Sequence, residues 1–201
     1  MGQNRIMENE KLNAWILTHS GKHFNPFIPK AENVDIEDIA FSLSNLCRFT
    51  GHCKQFYSVA SHSVITMLIL EDEFPSASKK VRRAALLHDA HEAYVNDLAS
   101  PVKRHLPAYG ELCDRVQEII DRKFDIVLTA DERAMVEKAD LLALATEASV
   151  LLPNTNGWNL PVGPSKRGLE AFETGIDTIT HKGMKDIFLA AFKLVSGGSE
   201  F

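Results

Sequence analysis

Residues 78–96 read SKKVRRAALLHDAHEAYVN, and the pattern in this stretch decides the fold class. Val81, Ala84, Ala85 and Val95 recur at helical steps behind Ser78, so a single amphipathic helix is predicted. His88 falls on its apolar stripe, and Glu92, one turn on, shares that face. The same period continues on both sides. Upstream, residues 58–70 carry Val59, Ile65 and Ile69 on one face, and His62 lies three residues from both Val59 and Ile65. Before that, Asp35 caps a run in which Ile36, Ile39, Ala40, Leu43 and Leu46 recur. Downstream, Ser100 is read as the cap of a short helix with Pro101 at its first position. Leu112, Val116, Ile119, Ile120 and Phe124 mark a long one. The capping box Thr129-Ala130-Asp131-Glu132 opens another through Leu152, in which Asp140 sits among Val136, Ala139 and Ala143. Residues 186–195 are predicted to form a terminal helix, after a loop over residues 153–164. Strand signal is confined to residues 15–18 and 22–24 around His19-Ser20-Gly21. The expectation is an all-α helical bundle with a small N-terminal β-hairpin. Residues 1–201 form one domain, with 1–13 flexible and 196–201 a tail.

Composition narrows the function classes. The 22 basic and 27 acidic residues give a net charge of −5, the wrong sign for a duplex-binding footprint. Apolar residues at 45% and charged residues at 24% exclude disorder and coiled-coil composition. Three cysteines do not make a disulfide framework. No apolar run reaches a membrane span, and residues 1–13 lack the apolar core of a signal peptide. A cytoplasmic protein that binds neither membrane nor nucleic acid stably is expected.

Ionisable groups on buried helix faces are costly unless paired or bound to metal. His62, His88, Glu92 and Asp140, drawn from three helices, share one explanation: a divalent ion. His62, His88, Asp89 and Asp140 offer two imidazoles and two carboxylates, a set suited to Mn, Co, Zn, Mg or Fe. Glu92 is then placed to orient a water or move its proton. Taken singly, each has an ordinary reading: an inward histidine is usually a bonded core residue, and Asp140 alone would pair with an arginine.

Ser61-His62-Ser63, Leu87-His88-Asp89-Ala90-His91-Glu92, the 97–103 segment Asp-x-x-x-Pro-Val-Lys and Lys138-Ala139-Asp140 resemble the HD-domain metal-dependent phosphohydrolases. The likeness runs over about residues 43–152, and its flanking signatures are similar to the bacterial 5′-deoxynucleotidases. The resemblance implies that His62, His88, Asp89 and Asp140 hold one metal ion. It further implies that Glu92 positions the attacking water and that Asp97 contacts the sugar 3′-hydroxyl. Arg48 is then the phosphate-binding arginine and Phe49 the aromatic beside sugar or base. The hairpin and residues 47–53 look like the small HD proteins that include phage dATP triphosphohydrolases. The leading expectation is therefore hydrolysis of dATP to deoxyadenosine and triphosphate, in a host cytoplasm if the protein is phage-encoded. A broad dNMP 5′-deoxynucleotidase and a non-catalytic HD nucleotide sensor are the alternatives. The resemblance also implies a homo-oligomer.

Arg48 suits bidentate phosphate binding, and Lys103 or Lys54 is expected to meet a further phosphate. His91 is either a ligand of a second metal or a supporting side chain, with a mononuclear centre expected. Cys47 and Cys53 are spaced unlike a zinc pair. His52 reads equally as pocket or surface. The basic residues 79–83 read as a solvated face, and Trp158 as packed under its loop.

Overall fold

The computed structural model describes residues 13–197. Of the flexible start expected over residues 1–13 and the tail expected over 196–201, residues 1–12 and 198–201 lie outside the described residues, while Ser196 ends the last helix and Gly197 caps it. Strand β1 (Ile16–Leu17) pairs antiparallel with β2 (His23–Phe24), with Ile16 opposite Phe24 and Leu17 opposite His23. Gly21 takes φ 83° in the connecting turn, where a side chain would be strained. Ser20 then donates from its backbone N and its hydroxyl to Asp38, at 2.6 and 2.8 Å. The hairpin is thereby tied to the first helix.

The helices are α1 (Ile36–Asn45), α2 (Val59–Glu73), α3 (Lys79–Leu87), α4 (Glu92–Val95), α5 (Ser100–Lys103), α6 (Pro107–Lys123), α7 (Ala130–Leu151), α8 (Lys166–Glu173) and α9 (His181–Ser196). They form the expected all-α bundle. Helix α2 is its axis, packed against α1, α3, α7, α8 and α9. Every residue from Val59 to Met67 is buried, so α2 has no polar face to lose. Asp35 and Thr129 cap their helices as the sequence predicts, Thr129 and Glu132 complete the capping box, and Ser58 caps α2 from the position read as its first residue.

Four expectations change. The helix predicted over residues 78–96 is two helices, α3 and α4, separated by a tight turn at residues 88–91. The short helix begins at Ser100 itself, with Ala99 as its cap, so the Ser100 hydroxyl does not cap it. The chain beyond residue 164 folds into α8, which the apolar period did not reveal. Gly168 lets α8 approach: a Cβ there would lie 3.0 Å from the Thr146 side chain. The terminal helix starts at His181, five residues early, because Thr180 caps it by accepting from Gly183 N.

Of the basic residues over 79–83, Lys79 is exposed and the other three reach across the fold. Lys80 pairs with Glu132 at 2.8 Å, Arg82 with Glu71 at 3.3 Å, and Arg83 donates to Asp125 O. Among the described residues no helix is long and apolar enough to cross a membrane.

Candidate metal centre

Three elements bring the predicted ligands together. His62 projects from the second turn of α2, His88 and Asp89 from the turn after α3, and Asp140 from the middle of α7. His62 Nε2 lies 3.2 Å from His88 Nε2, 3.6 Å from Asp89 Oδ2 and 3.1 Å from Asp140 Oδ1. His88 Nε2 lies 3.3 Å from Asp89 Oδ2 and 3.6 Å from Asp140 Oδ1. His62 is sealed from solvent, whereas the Asp140 side chain is 40% exposed and stands at the mouth. A cavity of about 170 Å³ opens there, lined by His88, Asp140, Gln117, Asp121 and Arg133.

The outer ring nitrogens decide what this cluster can hold. His88 Nδ1 lies 2.8 Å from Ala85 O, and His62 Nδ1 lies 2.7 Å from Glu147 Oε1. Both contacts place the ring proton on Nδ1, so the two Nε2 lone pairs face each other across 3.2 Å. His62, His88 and Asp89 then bring ligand atoms within 4.8 Å of one another, and Asp140 Oδ1 faces the two imidazoles, an arrangement that a cation satisfies. Ligands at about 2.1 Å around a tetrahedral ion sit about 3.4 Å apart, within the observed range of spacings. The donor set therefore fits a divalent metal.

The electrostatics agree. Burial pulls the His88 imidazolium down, but Asp89 and Asp140 overcome it and raise it well above the usual histidine range. His62 is also raised, against burial and Arg48, by Glu147 and Asp140. Burial pushes the Asp89 and Asp140 carboxyls up, but the two imidazoles hold both below the usual carboxylate range. Each shift reports a pocket that favours positive charge.

Behind the ligands lies a residue that motif reading missed. Glu147 on α7 is fully buried and accepts from Tyr57 OH at 2.9 Å and from Arg48 Nε at 3.2 Å, besides facing His62. Its signal was present: Glu147 is a charge on the inward face of α7, two turns beyond Asp140. Arg48 is consequently held between Glu147 and Asp89, whose Oδ2 lies 3.7 Å from Nη1. The segment that delivers it is strained, since Phe49 and Thr50 take φ 54° and 53° before Gly51 at 78°. The Cys47–Ser58 bridge and a bond from Lys54 N to Leu151 O pin its two ends.

The remaining predicted residues separate into two groups. Glu92 is buried and pushed well above the usual carboxylate range by burial, Asp89 and Asp97. Asp97 is half-buried, and burial raises it against Arg48. Lys103 is half-buried and acts electrostatically on both Asp97 and His91. Lys54 is exposed, and its Nζ donates to Val150 O at 2.7 Å, near the end of α7. His52 is exposed. Cys47 and Cys53 are free thiols 3.8 Å apart, with Cys53 pushed up to about 11 by burial and its neighbour. Trp158 is not packed under its loop: it is 43% exposed, with its ring 6.3 Å from that of Phe49.

No family model matches the chain. Over 134 residues, 67% of this chain and 70% of the relative, it is 40% identical to YfdR of Escherichia coli K12, described as an uncharacterized protein. Over 140 residues, 67% of this chain and 71% of the relative, it is 33% identical to an uncharacterized protein of Rhodobacter capsulatus. The stronger of these likenesses spans two thirds or more of both chains, and the protein belongs to the family of YfdR.

Proposed function

We propose that this protein is a divalent-metal-dependent phosphohydrolase of 2′-deoxynucleotides, with dATP as the leading substrate. The observation that supports the reading most is the convergence of four metal-seeking acceptors beside a buried arginine. His62 Nε2, His88 Nε2, Asp89 Oδ2 and Asp140 Oδ1 are the atoms that would hold the ion. A bound divalent ion supplies charge for a phosphoryl oxygen and acidity for a water.

The chain's own residues supply the rest of the reaction. Arg48, fixed by Glu147, offers its guanidinium fork to a phosphate oxygen, where positioning and charge are most of the catalysis. Glu92 takes the proton of the attacking water and returns one to the departing ester oxygen. Water oxygen bonds to phosphorus, the phosphorus–ester bond breaks, and deoxynucleoside leaves with its hydroxyl restored. Asp97 accepts from the sugar 3′-hydroxyl. Phe49, with Trp158 above it, offers an aromatic step for sugar and base.

The test is incubation of the purified protein with Mn, Co, Mg or Zn and panels of dNMPs, dNTPs and ribonucleotides. Deoxyadenosine plus intact triphosphate from dATP alone is the expected result. Phosphate released from monophosphates across the bases would replace it with a broad dNMP 5′-deoxynucleotidase. That second reading draws on one observation: Lys54 Nζ already donates to Val150 O and Lys103 is half-buried, so a longer phosphate chain meets few unengaged cations. Nucleotide binding with no product under any metal would leave a sensor.

Two substitutions refine the roles. Glu92→Ala should keep the ion held by His62, His88, Asp89 and Asp140 and lower kcat by about two to four orders of magnitude, as for a lost acid–base group. Near-normal turnover would remove Glu92 from the proton path. Lys103→Ala should raise KM for dATP about tenfold while changing dAMP kinetics little, the size of a lost charge-assisted contact. Unchanged dATP kinetics would exclude Lys103 from the phosphate site.

A further inference from the structure

The loop that delivers Arg48 is bracketed by two sulfurs. Cys47 and Cys53 are free thiols, both half-buried, and their Sγ atoms lie 3.8 Å apart. The local fold makes this meeting. Gly51 N donates to Arg48 O at 3.1 Å and His52 N to Phe49 O at 2.9 Å, and these tight steps turn the chain back on itself. Cys53 Sγ also donates to Arg48 O at 3.6 Å, so its side chain points into the loop and toward Cys47. The third cysteine, Cys113 on α6, is only 2% exposed and belongs to neither end of the loop.

A disulfide holds its sulfurs about 2.0 Å apart, so this pair is about 1.8 Å short of a bond. The backbone at both ends is fixed. Cys47 bridges to Ser58, Arg48 N donates to Tyr57 O at 2.9 Å, and Lys54 N donates to Leu151 O at 2.9 Å. The closing movement therefore falls on residues 49–52 and on the two cysteine side chains. Phe49 stands in that stretch, its ring 5.5 Å from the Arg48 guanidinium carbon and 6.3 Å from the Trp158 ring. Oxidation also removes the S–H that Arg48 O accepts from Cys53.

We propose that Cys47 and Cys53 form an oxidation site for small hydroperoxides, and that the resulting disulfide repositions Phe49 beside the candidate metal centre. Burial and the neighbouring Cys47 push the Cys53 thiol up to about 11, so Cys53 keeps its proton and Cys47 is the sulfur the oxidant meets first. With hydrogen peroxide, the Cys47 sulfur attacks one oxygen, the O–O bond breaks, and water leaves with the thiol proton. A sulfenic acid remains on Cys47. The Cys53 sulfur then attacks the Cys47 sulfur, the S–O bond breaks, and a second water leaves with the Cys53 proton. Two thiols and one peroxide become one disulfide and two waters, and the two electrons come from the sulfurs. A consequence for nucleotide turnover rests on the phosphohydrolase reading above; the disulfide itself does not.

Thiol counting on the purified full chain treated with hydrogen peroxide tests the proposal. Three free thiols should fall to one in a monomeric product lighter by two hydrogens, and dithiothreitol should restore all three. A peptide map should place the bond between Cys47 and Cys53. Cys53→Ser should stop at a sulfenic acid on Cys47 that dimedone traps, and Cys47→Ser should leave Cys53 a thiol. In a Trp15→Phe background Trp158 is the sole tryptophan, and closure should shift its emission reversibly. The same background with Cys53→Ser should show no shift. Oxidation should also lower kcat/KM for deoxynucleotides about 100-fold, the cost of a group misplaced by about 1 Å. Three thiols surviving the peroxide, or a bond to Cys113 or to another copy of the chain, overturns the site. A closed disulfide with unchanged Trp158 emission and unchanged turnover overturns the repositioning. A closed disulfide with shifted emission, in a protein that hydrolyses no nucleotide when reduced, supports the site and sinks the phosphohydrolase reading instead.

Discussion

Asp89→Ala is expected to yield a folded protein that retains no divalent ion and has lost nucleotide turnover by at least about four orders of magnitude. Asp89 Oδ2 lies 3.3 Å from His88 Nε2, nearer than the Asp140 oxygen at 3.6 Å, and it also faces His62 and Arg48 at 3.6 and 3.7 Å. Its removal deletes one of the two carboxylates of the donor set and leaves the imidazoles with Asp140 alone. Four orders of magnitude correspond to about 5.5 kcal/mol of transition-state stabilisation, in keeping with losing the charge that the site is built to hold. Because Arg48 keeps Glu147 at 3.2 Å, the fold should survive. Elemental analysis of the purified variant and a circular dichroism melt separate the two effects. A variant that still carries stoichiometric metal would take Asp89 out of the ligand set.

Glu147→Ala should be the most destabilising substitution in the site, by about 3–5 kcal/mol in chemical denaturation. Glu147 is sealed from solvent and serves three groups at once: His62 Nδ1, Tyr57 OH and Arg48 Nε. Alanine would leave a buried guanidinium and a buried phenol facing a cavity. The isosteric Glu147→Gln variant isolates the charge and should keep most of the packing. Burial pushes the Glu147 carboxyl up, but Arg48 and His62 overcome it and hold it below its usual value of 4.5. A depressed folded value means that this stabilisation is complete above about pH 4.5 and is lost as pH falls through the folded value. Wild type should lose stability over that acid window, and Glu147→Gln should show a flatter profile. Equal acid sensitivity in both proteins would show that the linkage lies elsewhere.

Much of the centre was legible because its members break a simple pattern. His62, His88 and Asp140 are ionisable groups inside apolar stripes, and that anomaly survives without any coordinates. Glu147 breaks the same pattern and was overlooked because it belongs to no motif. The turn at residues 88–91 could not be read at all. His88 and His91 keep right-handed helical dihedrals, and nothing in Ala90 or Leu87 signals an interruption. The signal lies in Gln117, which takes Leu87 O and His91 N from 26 or more residues away. Helix α8 was hidden differently: Leu169, Ala171 and Phe172 stand at helical steps, but eight residues are shorter than the window over which a period is read. The tie between Arg48 and α7 is equally long-range, spanning 99 residues.

The left-handed pair Phe49–Thr50 has a consequence for which sequences can occupy this loop. A β-branched residue at φ 53° is among the least favoured backbone states, and each such residue costs about 1–2 kcal/mol. The loop beside Arg48 therefore rests away from its own minimum, like a drawn spring whose two ends are pinned by the Cys47–Ser58 bridge and Leu151. Glycine or asparagine at position 50 would relax it, and the protein would become more stable and less exact about where its arginine points. Substitution at that position is then a trade between durability and aim, made without changing a single residue of the candidate metal centre.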